Sequence, residues 1–187
     1  MIASILLIAA IMSSGVPEWE NPQVNSVNRE PPRTYSMPLA SERDALSGEL
    51  EPQTPYRKSL NGEWKINWVG EPSLRPVGFE RPDFDDSGWD LIDVPSCVEM
   101  RGFGVPHYVN VRYPHANMAP LIRDRMATNL VFNPVSSYRT RFSVPEQWGG
   151  RKTFLRFDGV YSAYYVWLNG KFVGYSEDST SAAEFEI

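Results

Sequence analysis

The chain has 187 residues, 42% hydrophobic and 13% aromatic, which suits one domain with a packed core and excludes a disordered polymer. A net charge of −5 without any Lys/Arg-rich block argues against a nucleic-acid partner, because a phosphate-binding surface needs clustered cations. The single cysteine, Cys97, excludes an intrachain disulfide and a Cys-based zinc site, and His107 and His115 cannot hold a metal without carboxylate help.

In chain order, Ile2 to Met12 is an uncharged apolar run followed by Ser13, Ser14 and Gly15. It is too short to span a bilayer and fits the apolar region of a signal peptide over residues 1–15, although no Lys or Arg precedes it. A buried N-terminal strand or helix is the alternative. Export predicts a periplasmic or extracellular protein with no membrane association after signal cleavage, and the absence of a Cys after the run disfavours a lipid anchor. Residues 16–55 are rich in Pro, Ser, Asn and charge. They read as an extended arm with one helical turn around Ser41–Leu46, able to lie across a neighbouring surface.

From Tyr56 the pattern is β. Trp64, Ile66 and Trp68 alternate with Lys65 and Asn67. Tyr138, Thr140, Phe142 and Val144 alternate with Arg139, Arg141 and Ser143, and Pro145 ends the run. The acidic stretch DFDDSGWD from Asp83 matches half a calcium loop, but its twelfth position is Val94 where a bidentate Glu is required. It reads as a solvated turn before the strand WDLIDVP. Gly102-Phe103-Gly104 lacks the third glycine and the helix of a dinucleotide fingerprint, and no serine has a nucleophile-elbow context. Farther on, Asn169-Gly170 separates two apolar runs and signals a tight hairpin, with Trp167 opposite Phe172 and Val166 opposite Val173. Both hairpin faces are largely apolar, which predicts burial inside a β-sandwich.

Two polar stretches are candidates for chemistry. In VPHYVNVRYPHAN, Tyr108 and Tyr113 bracket Asn110 and Arg112. An amide can donate to and accept from sugar hydroxyls, and Tyr rings suit the apolar face of a sugar; Asn in a strand-end turn and Tyr in a core is the commoner reading of these residues alone. In GYSEDSTSAAEFEI, Asp178 lies beside the apolar hairpin and could lend a hard oxygen to a cation or a hydroxyl. The ordinary alternative is a turn at Asp178 followed by a helix capping box at Ser181 and Glu184.

Taken together, LNGEWKINW, FDDSGWDLIDVPSCVEMRGFGVPHYVNVRYP, NPVSSYRTRFSVPEQW and FLRFDGVYSAYYVWLNGKFVGYSEDSTSAAEFEI closely resemble the N-terminal domain of β-galactosidases of glycoside hydrolase family two, over roughly Asn21 to Ile187. The resemblance implies an all-β, jelly-roll sandwich over residues 56–187 that abuts a catalytic (β/α)8 barrel. It implies that Asn110 hydrogen-bonds a β-galactoside and that Asp178 touches galactose hydroxyls and ligates sodium, with magnesium elsewhere in the full enzyme. The reaction would be hydrolysis of terminal β-galactosides with retention, which needs two carboxylates about 5–5.5 Å apart. In the family both are Glu on the barrel; no segment here resembles that barrel, and Glu184 matches the domain's own AEF motif. The expectation is therefore a C-terminally incomplete sandwich with no catalytic residue and no activity alone. Homo-oligomerisation through the arm stays open. Two rival readings are a stand-alone, non-catalytic carbohydrate-binding module and a purely structural domain.

Overall fold

A computed structural model describes residues 17–49, 52–106 and 133–187. The expected signal peptide and Asn110 lie outside the described residues. Among the described residues, eight antiparallel strands form three small sheets. Strand β1 (Ser26–Val27) joins β7 (Lys171–Ser176) and β6 (Tyr164–Leu168) in the order β1-β7-β6. Strands β2 (Gly62–Val69), β3 (Asp90–Val94) and β4 (Val135–Arg139) run β3-β2-β4, and β5 (Phe154–Phe157) pairs with β8 (Ala183–Glu186). The only α-helix among the described residues is α1 (Glu42–Ala45), capped by the Ser41 hydroxyl, which accepts from the Asp44 amide. The chain is all-β, as its alternating pattern predicts.

The period-two face of β2 does what its sequence requires. Ile66 is fully buried opposite Tyr138, and Trp64 sits opposite Ile92, its ring edge-on to Tyr138. The other face brings Lys65 directly opposite Arg139. Like charges so placed repel, and Asp86 resolves the conflict by bridging Lys65 Nζ at 2.7 Å and Arg139 Nε at 2.8 Å. The acidic turn expected to be solvated is therefore partly an internal clamp. Asp85 keeps the turn role through its side chain, accepting from the Ser87 amide. Arg139 also donates to the carbonyls of Phe79 and Arg81, tying the 75–89 connection to the sheet. Strand β4 ends at Arg139, short of the run to Val144 that alternation suggests.

The hairpin forms at Asn169-Gly170, both with positive φ (52° and 81°), as a tight turn matching strand twist requires. Trp167 pairs with Phe172 as expected, but Val166 pairs with Gly174 and not with Val173. A β-bulge shifts the register. Its physical result is clear on both faces. Tyr175 comes to the side of Tyr165 (ring centroids 4.8 Å apart), beside Trp167 and Phe172. Gly174 comes under the Phe185 ring, which lies 2.5 Å from where a Cβ would be. Val166, Ala183 and Phe185 then form a buried cluster with Leu155, Phe157, Tyr164 and Val173 around it, joining the hairpin to the β5–β8 ribbon in two layers. Burying a side chain such as Phe185 contributes roughly 1.5–3 kcal/mol.

The segment read as an arm lies across this same domain. Its strand β1 covers the outer edge of β7, with Val27 opposite Tyr175. Asn28, at φ 55°, turns the chain and donates its side-chain amide to the Val173 carbonyl. The Glu30 amide then donates to the Glu184 carbonyl at 2.9 Å. Glu18 accepts from the Tyr165 hydroxyl at 2.7 Å.

Candidate functional site

The polar chemistry of this end of the molecule is carried by the 177–182 loop between β7 and β8. The β7 side is apolar and closed: Tyr175 and Ser176 are 0% and 1% exposed. Chain polarity changes abruptly at Glu177, whose carboxylate accepts from the Tyr175 hydroxyl at 2.7 Å. Burial, and then the hydrogen bond to Glu177 and its charge, push the Tyr175 phenol far above its ordinary range. The same causes raise Tyr165 through Glu18. Both tyrosines are neutral hydrogen-bond donors over the accessible pH range.

Asp178 follows at once. Its residue is exposed, and among the described residues it makes no hydrogen bond or ion pair. A carboxylate without an internal partner is free to accept from a ligand hydroxyl or to face a cation. A hard cation takes several oxygen ligands. No group of three or more His, Cys, Asp or Glu among the described residues could hold a metal ion. Asp178 by itself therefore does not make a cation site, and any further oxygens would have to be carbonyls, hydroxyls or groups from elsewhere.

Next to this loop runs the 158–163 loop. A Cβ on Gly159 would lie 3.4 Å from the Ser179 carbonyl, so the two loops are in contact there. Tyr161 in the second loop is 91% exposed, an aromatic face that sequence reasoning did not single out. Its signal in the sequence was weak, since one Tyr in an aromatic run reads as core.

Glu184 has a different fate. It is a strand residue on β8, so the helix capping box is not formed. Its carboxylate is held by Arg33 (Nη2 at 2.7 Å, Nε at 2.8 Å) and Arg156 (3.0 Å). Burial pushes its pKa up, but the hydrogen bonds and charges of the two guanidiniums outweigh this and hold it below the usual range. A carboxylate so engaged makes a poor proton donor near neutral pH. Arg156 is itself stacked 4.5 Å over the Tyr35 ring and bonded to Asp158. This arm-to-sandwich network was not visible in the sequence, where Arg33 and Glu184 stand 151 residues apart.

The model of the family described as glycosyl hydrolases family 2, sugar binding domain, matches residues 57–187, and the chain belongs to that family. It is similar to a beta-galactosidase of Priestia megaterium, 37% identical over 176 residues that make up 94% of this chain and 17% of that protein. The beta-galactosidase of Halalkalibacterium halodurans is 38% identical over 179 residues, 93% of this chain and 17% of its own. The beta-galactosidase large subunit of Leuconostoc lactis is 36% identical over 183 residues, 91% of this chain and 28% of its own. The chain spans less than a third of the length of these curated relatives.

Proposed function

We propose that this chain is the sugar-recognition part of an exported β-galactosidase, acting with a catalytic barrel that supplies the reacting carboxylates. The observation that carries the reading is the similarity over more than nine-tenths of the chain to proteins named beta-galactosidase. Asp178 accepts hydrogen bonds from hydroxyls of a terminal β-galactoside and serves as one oxygen ligand of a sodium ion. Sodium would supply a fixed positive charge that orients the sugar hydroxyls. Asn110 adds an amide that donates and accepts at once, a pairing that discriminates strongly because an unmatched buried polar group costs about 1–3 kcal/mol. The engagement of Glu184 by Arg33 and Arg156 supports a non-catalytic role for this acid. The same reading gives the complete sandwich a jelly-roll connectivity.

The test is a chemical-shift titration of the 187-residue chain with methyl β-D-galactoside and, separately, methyl β-D-glucoside, in sodium and in potassium buffers. Galactoside-dependent shifts at residues 177–182, larger in sodium and lost in Asp178→Ala, support the reading. Equal responses to both sugars, or shifts that survive Asp178→Ala, overturn the assignment of Asp178. A chromogenic galactoside should be left intact; hydrolysis by the purified chain would place the reacting groups within it.

A further inference from the structure

The 177–182 loop is held at both ends by one short piece of the N-terminal arm. At its β7 end, the Glu177 amide donates to the Asn25 carbonyl at 3.1 Å. Beside it, Arg29 donates to the hydroxyl of buried Ser176 at 3.1 Å. At the β8 end, the Glu30 amide donates to the Glu184 carbonyl at 2.9 Å. Arg33 closes that end by gripping the Glu184 carboxylate, which Arg156 holds from its other oxygen. Between these two feet, Asp178 has no partner among the described residues. The position of the backbone that carries it is therefore set by where the feet are fixed.

We propose that Arg29 and Arg33 are positioning residues for the Asp178 loop, so that the arm sets the geometry of the site through Ser176 and Glu184. This rests on the reading of Asp178 as a sugar and cation contact. The arm turns at Asn28 so that one cation reaches each foot. Arg33 is the more specific of the two. Its two nitrogens both lie within 2.8 Å of Glu184 Oε2, a grip that fixes orientation as well as charge. Ser176 and Glu184 bracket the loop from a buried and a nearly buried position, so a displacement at either foot is passed to the loop and not absorbed by solvent.

Backbone nitrogen-15 relaxation of the 187-residue chain tests this. In the unaltered chain, the amides of residues 177–182 should give order parameters close to those of the hairpin, near the ~0.85 of rigid backbone. In Arg33→Gln and in Arg29→Gln they should fall toward about 0.6, with β6 and β7 unchanged. Arg33→Lys, which keeps the charge and one donor, should recover part of the loss. The galactoside titration should weaken several-fold in Arg33→Gln and recover in Arg33→Lys. Unchanged loop order in either Gln variant that folds overturns the proposal, as does a loss of order that spreads equally through the hairpin. Should the loop respond to Arg33→Gln while Asp178→Ala leaves the titration untouched, the positioning holds and the functional assignment of Asp178 falls. Each Gln variant is judged alone, so a failure of one to fold leaves the other decisive.

Discussion

At Gly174 the backbone passes between the Phe185 ring and the Val27 carbonyl. A Cβ there would meet ring carbons at 2.5 Å and that backbone oxygen at 2.6 Å. Neither neighbour can give way cheaply, because Phe185 is fully buried and Val27 is held in the ladder opposite Tyr175. Gly174→Ala should therefore destabilise the domain by about 3 kcal/mol or more, an overpacking cost at the upper end of its usual range. The midpoint of urea unfolding measures this; a change under about 1 kcal/mol would show that the two layers are not in contact there. Asp178 presents the opposite case. Its exposure and lack of an internal partner among the described residues mean that Asp178→Ala should leave the same unfolding midpoint within about 0.5 kcal/mol of its original value. Loss of galactoside response without loss of stability is the signature expected of a residue that serves a ligand.

The elements show why some features were legible in the sequence and others were not. Asn169-Gly170 demands a positive-φ turn, so the hairpin could be placed to the residue. The bulge could not, since it answers to Phe185 and Tyr165, neither of them a sequence neighbour of Gly174. Strand β1 was hidden for a related reason: a two-residue edge strand pairs through backbone groups and needs no apolar period. Asp178 was singled out through its motif, while Arg33 carried no local signal at all. Asp86 was misplaced because an acidic turn looks solvated until Lys65 and Arg139 are known to be cross-strand neighbours. That clamp makes a test at the scale of one sheet. Asp86→Ala should cost about 1.5–3 kcal/mol, the range for hydrogen bonds to charged groups. Adding Lys65→Met should restore part of it, because the facing cations are then reduced to one. A double-mutant cycle checks the coupling; strictly additive effects would mean that Asp86 contributes only as a turn former.

For the whole molecule, acid is the first lever. Asp86 is held below its ordinary value by the Lys65 hydrogen bond and the charges of Lys65 and Arg139, against burial, and Glu184 is lowered by its two arginines despite burial. A carboxylate with a depressed folded value contributes stability that is complete above its unfolded value, near pH 4–4.5, and is lost as pH falls through the folded value. Stability should decline below about pH 4.5, and an Asp86→Asn, Glu184→Gln variant should show a flatter profile there while starting lower at pH 7. The second lever is the arm, which holds together two layers that touch each other mainly through Val166, Ala183 and Phe185. It covers the β7 edge through β1 and reaches Glu184 on β8 through Glu30 and Arg33. Removing residues 1–33 would uncover backbone donors and acceptors along β7 and break a grip on a nearly buried carboxylate. Each lost hydrogen bond is worth about 1 kcal/mol, so the sum should reach several kcal/mol. An uncovered edge also pairs with other copies, so the shortened chain should associate in proportion to its concentration. Light scattering across a dilution series, with urea unfolding at the lowest concentration, separates these effects. A shortened chain that stays monodisperse with an unshifted midpoint would mean that the arm rests on the sandwich without holding it.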